Sequence, residues 1–380
     1  MRFSDLTVDF PDATNRLYKR LEELRQAGTT IVDLVNANVN DHGIVFPNAI
    51  LAPIMADATR LAATYKPDSL GQRVAREAVA LYEGIEAEQI LLTPGTSVSY
   101  WYAFKLLCEP GSEVLCPAPS YPLFDYIARL AGIEIRNYRL NEQDAWSIDL
   151  EHLRQQISDE TRAIVVISPH NPTGMVAGQE QVDGLAELAA RHNLPIISDE
   201  VFREFVDVGV DVARPWKSDA PLVFTLNGFS KMFALPGIKI GWMGVSGDKE
   251  LVGKSMRTLE LMSDTFLPVN EAAQFATGQI FEKGEAFLKD YCEEIGERRK
   301  KLARAMEPGL GVPPRGGLHA VVRFQRDVEE EDLAIELLNT EHILVHPGYF
   351  YDIEDRHIVM SCVSPVEVLG DSLERIKAHL

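Results

Sequence analysis

The sequence predicts an α/β fold, a mostly parallel sheet covered by helices on both faces and followed by a smaller α+β unit. The first observation is a series of short β-branched runs beyond residue 80: "QILLT" (89–93), "SEVLCP" (112–117), "AIVVIS" (163–168), "LPIIS" (194–198) and "LVFTL" (222–226). The second is that helical stretches such as "YPLFDYIARLAG" and "QEQVDGLAELAARHN" separate them. Apolar strands alternating with helices are buried on both faces, which is the pattern of parallel pairing. The third is a change of character near the C-terminus. A charged helical stretch, "FLKDYCEEIGERRKKLARAM" (287–306), precedes "GGLHAVVRF", "HILVHPG" and "HIVMSCVS", with an acidic helix between them.

At 380 residues the chain is too long for one small core, so two domains are expected. "DATNRLYKRLEELRQAG" (12–28) spaces Leu17, Leu21 and Leu24 at helical intervals and ends in glycine, so it reads as an amphipathic helix. Because termini tend to lie together, the large domain is placed at 46–284 and the small one at 1–45 with 285–380.

Composition excludes several functions. A formal net charge of −20 leaves no basic surplus to neutralise phosphates, which argues against a nucleic-acid partner. Cys108, Cys116, Cys292 and Cys362 lie far apart without a CxxC pair. That fits reduced thiols in a cytoplasmic protein, and neither a disulfide framework nor a metal site is expected. "MRFSDLTVDFPD" carries acids where a signal peptide needs a basic start, and no apolar segment approaches the length of a membrane span. No membrane partner is expected.

In an open parallel sheet, ligands bind where strands end and loops begin. Five runs lead there into polar or glycine- and proline-rich segments: "TPGTS" (93–97), "PAPSYP" (117–122), "SPHNPTG" (168–174), "SDEVF" (198–202) and "NGFSK" (227–231). Each alone has an ordinary explanation as a turn, a helix cap or a surface lysine. Their meeting at one edge of one sheet has none. "PGTS" opening a helix offers backbone N–H groups and two hydroxyls to a phosphate. Tyr121 offers a flat face to a planar ring. Asn171 is a neutral donor, and Asp199 is an acid that can hold a heterocyclic nitrogen in its protonated form. Lys231 is an amine, the nucleophile that makes a Schiff base. Together these describe a site for pyridoxal 5′-phosphate.

The chain resembles the class I/II aminotransferases, pyridoxal-phosphate enzymes of fold type I in the aspartate aminotransferase superfamily. The resemblance runs from about "IVDLVNANVNDHG" to the C-terminal "LERIKAHL". "SPHNPTG", "SDEVF" and "FSKMFALPGIKIGW" carry it, in that order, with Asp199 placed 32 residues before Lys231. It implies a large domain with a mostly parallel seven-stranded sheet, and a smaller α+β domain. It implies a Schiff base at Lys231, which also moves a proton, and an ionic partner for the ring nitrogen at Asp199. It places Asn171 at the ring oxygen, Tyr121 over the ring, and Gly95, Thr96, Ser97 and Ser230 around the phosphate. Tyr65 in "TYKPDSLG" matches a tyrosine that reaches the neighbouring subunit's phosphate, so a homodimer with shared sites is implied. The substrates implied are a small amino acid and a 2-oxo acid.

Three positions depart from the family pattern. Lys239 stands where an arginine usually binds the phosphate, keeping the charge without the bidentate fork. Phe202 stands where a tyrosine usually hydrogen-bonds the ring oxygen. Val359, in "HIVMS" (357–361), stands where an arginine usually clamps the substrate carboxylate. Carboxylate contacts are therefore expected from the backbone N–H groups of Ala37 and Asn38 and from Asn171; Arg323 and Arg203 are candidate substitutes, though each reads first as a surface or helix charge. The missing arginine leaves open another enzyme on the same scaffold, a carbon–sulfur β-lyase or an amino-acid oxidase or hydroxylase. A nicotinamide dehydrogenase would suit the sheet, but no GxGxxG follows any strand. A regulator built on such a domain would need a DNA-binding module, for which the short stretch before the family match leaves no room.

Overall fold

Alternation inside the apolar runs decides which layer each strand residue enters. In "AIVVI", Ala163, Val165 and Ile167 join one core cluster, while Ile164 and Val166 join another on the opposite face. A strand buried on both sides is apolar throughout, so its sequence shows a continuous run. The computed structural model describes residues 4, 6, 15–121, 123–306, 309–354 and 356–380.

In chain order the strands are β1 (Val32–Asp33), β2 (Ile90–Thr93), β3 (Glu113–Ala118), β4 (Glu134–Asn141), β5 (Ser147–Ile148), β6 (Thr161–Ile167) and β7 (Ile196–Asp199). They continue with β8 (Leu222–Gly228), β9 (Gly241–Gly247), β10 (His319–Arg323), β11 (Ile343–Leu344), β12 (His346–Pro347) and β13 (His357–Ser361). The large sheet runs β2-β9-β8-β7-β6-β3-β4-β5. Pairing is parallel from β4 through β3, β6 and β7 to β8. β9 lies antiparallel between β2 and β8, so β2 runs in the same direction as β8. The sheet has eight strands where seven are implied by the resemblance. β5 is a two-residue edge strand antiparallel to β4, too short to leave a periodic signal.

One face of the sheet is covered by helices 96–107, 124–131 and 249–264, through Tyr100, Phe104, Phe124, Ala128, Met256 and Leu259. The other is covered by helices 150–156 and 179–192, through Leu153, Val182, Leu185 and Ala189. A separate core joins Leu17, Leu21 and Leu24 of helix Arg16–Gln26 to Ala320, Val322, Ile358 and Met360 of the small sheet. The helix begins at Asn15, whose side chain accepts from Tyr18 N–H. Residues 12–14 of the expected helix, and Pro122 of "PAPSYP", lie outside the described residues.

The charged helix expected at 287–306 spans Glu271–Met306, 36 residues. Its first half packs Ala273, Ala276 and Ile280 against the large sheet, and its end packs Leu302 and Met306 into the second core. At about 1.5 Å per residue it is long enough to serve both. β10, β13 and β12 form a three-stranded antiparallel sheet, and β1 pairs with β11.

Candidate active site

Because β2, β3, β6, β7 and β8 point the same way, their C-terminal ends present five loops to one edge. A cavity of about 390 Å³ opens there. Thr96, Ser97, Tyr121, Asn171, Asp199, Ser230 and Lys231 all line it. These residues come from five separate segments, and the sheet brings them together.

The first loop is shaped by Gly95, which caps helix Thr96–Leu107 with φ 151° and ψ 165°. That region is open essentially to glycine alone. A Cβ on Gly241 would lie 2.9 Å from the Gly95 Cα, so the start of β9 packs backbone to backbone against this loop. The free N–H groups of a 12-residue helix, with Thr96 and Ser97 in its first turn, form an anion site. Lys239, two residues before β9, is exposed and left-handed (φ 58°), and it is not among the residues lining the cavity.

Asp199 ends β7 and is 7% exposed. Its Oδ1 accepts from Val201 N–H at 3.0 Å, and its Oδ2 accepts from the Tyr100 hydroxyl at 2.9 Å. Burial pushes its carboxyl up to about 6, against the downward pull of those two bonds. Lys231 sits on the short helix Phe229–Met232 directly after β8. Burial lowers its pKa, and no hydrogen bond or ion pair holds its Nζ among the described residues. The Asn171 Oδ1 is buried and also unpaired.

These features fit pyridoxal 5′-phosphate. An unpartnered amine suits an aldehyde, a buried carboxylate suits a protonated ring nitrogen, and an orphaned amide oxygen marks where a polar atom is missing. Tyr121, 38% exposed, lines the cavity with its ring perpendicular to that of Phe124 at 6.2 Å.

Sequence reading missed several lining residues. Tyr100 lies four residues after Thr96 on the same helix face, a periodicity that could have found it. His319, His346 and Tyr351 come from the small sheet and the turn after it. Phe202 lines the cavity as expected.

Other expectations need correction. Ala37 lines the cavity, but Asn38 N–H donates to Asn36 Oδ1 at 2.8 Å and is not free for a substrate. Arg323 is half-exposed on β10 and pairs with Glu142 at 3.4 Å. Arg203 is committed to a buried network. It bonds Glu83 at 2.8 Å and Glu200 at 3.0 Å, while Arg214 bonds Glu200 at 2.7 Å and also Glu83. Neither arginine lines the cavity. Removing one partner of a buried ion pair typically costs about 3–5 kcal/mol. Arg203→Ala should therefore lower the unfolding free energy by about that amount, measured by urea denaturation, while the folded fraction keeps its Michaelis constant. A raised Michaelis constant with unchanged stability would return Arg203 to the list of substrate contacts.

Tyr65 is 73% exposed and lines a different, open hollow of about 760 Å³ with Asp68, Phe266 and Asn270. Val359 is 1% exposed on β13, inside an apolar cluster with Val321 and Tyr351.

Comparison with known proteins identifies the family. The family model for aminotransferase class I and II matches residues 31–369. The chain is 29% identical over 350 residues to an alanine aminotransferase of Mycobacterium tuberculosis, covering 87% of this chain and 81% of that protein. It is 28% identical over 355 residues to a glutamate-pyruvate aminotransferase of Escherichia coli, covering 89% and 87%. Its fold superposes on a Thermus thermophilus aspartate aminotransferase double mutant with a TM-score of 0.87, at 27% identity and 100% coverage of both chains. The chain belongs to the class I and II aminotransferases and is a pyridoxal-phosphate-dependent aminotransferase.

Proposed function

We propose that the chain transfers an amino group between a small amino acid and a 2-oxo acid, with Lys231 as the residue that attaches the cofactor. The observation that supports this is a partnerless, half-buried Lys231 amine in the same cavity as the buried Asp199 carboxylate. When bound, the cofactor supplies an electron sink for the substrate's α-carbon. Lys231 Nζ would take the proton from that carbon and deliver it to the carbon of the cofactor that carried the aldehyde, so that nitrogen stays behind when the 2-oxo acid leaves. Asp199 holds the ring nitrogen in its charged form, and the Tyr100 hydroxyl fixes the carboxylate that does so. The N-terminus of helix 96–107, with Thr96, Ser97 and Ser230, would take the phosphate, Lys239 would add its charge from outside the cavity lining, and Tyr121 would cover the ring. Asn171 bonds the ring oxygen and, with Ala37, faces the substrate.

The test is whether product from an amino donor requires an added 2-oxo acid. Strict dependence is the expected result. Product release without one would point to a carbon–sulfur β-lyase, and oxygen consumption would point to an oxidase or hydroxylase.

We also propose the division into 46–284 and 1–45 with 285–380. Two cores that share few segments support it, although the 284/285 boundary falls inside helix Glu271–Met306. The four free cysteines support a cytoplasmic location. Among the described residues, no helix is long and apolar enough to cross a membrane.

A homodimer is the reading that gives Tyr65 a role, since it is exposed and outside its own cavity. Its hydroxyl would reach the partner's phosphate. A hydrogen bond to a charged group is worth about 1.5–3 kcal/mol. Tyr65→Phe should therefore weaken cofactor binding by roughly tenfold to a hundredfold. Mixing it with Lys231→Ala should restore activity, because one site of the hybrid then holds both groups. A verified heterodimer with no recovered activity would show that each subunit builds its own site.

A further inference from the structure

Building on the aminotransferase reading, we propose that His319 binds the substrate's carboxylate, in the place that the family gives to an arginine. Lys231, the cofactor's attachment point, is the one cationic residue among those lining the cavity, and no arginine is among them. A carboxylate entering such a site needs another donor, because a buried anion without a partner is costly.

Strand register shows where that donor lies. His319 stands opposite Ser361, Val321 opposite Val359, and His346 opposite Val359. Directly opposed residues share a face of an antiparallel sheet. Ala320, Val322, Ile358 and Met360 fill the core behind it. The face carrying His319, Val359 and His346 is thus the face toward the cavity, which both histidines line. Val359 stops short inside an apolar cluster, with a histidine on the strand to either side of it.

The two histidines are not equivalent. His346 is engaged at both ring nitrogens: Nε2 with the Tyr18 hydroxyl at 2.7 Å, and Nδ1 with the Tyr351 hydroxyl at 3.0 Å. His319 is 8% exposed, and its Nδ1 is buried without a partner. Its Nε2 makes no hydrogen bond within the described residues either, and the Phe202 ring stands edge-on to it at 6.3 Å. Buried polar groups are nearly always satisfied, so an idle imidazole in a ligand cavity is waiting for an atom from outside the chain.

Charge explains how it would work. Burial, then Lys231 and then His346, push His319 down to about 3, so it is neutral in the empty site. His346 is pushed down to about 4, mainly by burial, and Tyr351 is pushed upward, so neither supplies a charge near neutral pH. Asp199 is the anion in the cavity. A carboxylate against His319 raises its pKa, because an opposite charge nearby favours the charged form. Binding therefore strengthens as pH falls; the Asp199 carboxyl, pushed up to about 6, titrates in the same range, so the His319 contribution is the part lost on its substitution.

The test is calorimetric binding of 3-phenylpropionate to the cofactor-loaded enzyme at pH 7.5 and 6.0. This probe has a carboxylate and no amine, so it cannot turn over, and 3-phenylpropionamide is its neutral control. The wild type should bind the carboxylate more tightly at pH 6.0, by up to about tenfold per pH unit. His319→Gln should bind it about tenfold to a hundredfold more weakly, with a smaller pH dependence than the wild type, and should bind the amide unchanged. His319→Ala should raise the Michaelis constant for the amino donor more than it lowers kcat. Retention of the cofactor's visible band shows that each variant is folded and loaded. Unaltered carboxylate affinity in His319→Gln, a pH dependence as steep as the wild type's, or no wild-type binding at either pH would overturn the assignment. If the wild type showed no amino transfer to any 2-oxo acid, the enzymatic reading would fail while these binding results stood separately.

Discussion

Lys231→Ala is expected to lose covalent attachment of the cofactor and to fall in turnover by at least about 10²–10⁴-fold, the size of a lost proton transfer alone. Among the residues lining the cavity, Lys231 supplies the primary amine, so no neighbour can replace it as the nucleophile. Burial lowers its pKa with no acidic partner to restore it, so a larger share is free base than for a surface lysine. On the proposed reading, the same nitrogen would also carry the proton to and from the substrate. The wild type should show a visible band that borohydride bleaches and fixes to the chain, and the variant should bind cofactor reversibly. A variant with wild-type turnover would remove Lys231 from the chemistry and with it the whole site.

Much of this site was legible because strand-end chemistry is local. Asp199 and Asn171 follow apolar runs by zero to four residues, and Lys231 follows β8 by three, so each loop announces itself in the sequence next to its own strand. The direction of those strands needed only the alternation with helices. What could not be read depends on pairing between distant segments. His319 and His346 are ordinary members of short alternating runs until the register with β13 puts both beside Val359. The fate of Arg203 rests on Glu83, 120 residues away, and only the folded chain shows that this arginine is already used. Tyr100 lies between these cases. Its place on the helix was readable, but its bond to Asp199 required knowing that the helix crosses the end of β7.

Asp199→Asn is expected to separate stability from activity. In the cofactor-free protein, burial raises this carboxyl from 3.8 to about 6. The folded chain therefore holds the proton more tightly than the unfolded chain does. Below about pH 4 both states are protonated, and the residue makes no difference to stability. As pH rises from about 4 to about 6, the unfolded chain releases its proton first, and folded stability is lost across that window. By pH 7 the native protein carries a buried carboxylate at a cost of about 3 kcal/mol, from a difference of about two in pKa. Asparagine has the same shape, still accepts from Val201 N–H, and carries no charge. The cofactor-free variant should gain on the order of 1–3 kcal/mol at pH 7 and nothing at pH 4, read from urea denaturation at both values. Activity should move the other way. On the proposed reading, the protonated ring nitrogen would be the partner that makes a buried carboxylate favourable. Without that fixed charge the nitrogen is not held protonated, and proton removal from the substrate should slow by at least about 10²–10³-fold in single turnovers. A variant that is destabilised at pH 7, or that keeps the wild-type rate, would show that Asp199 is held by something other than the cofactor's nitrogen.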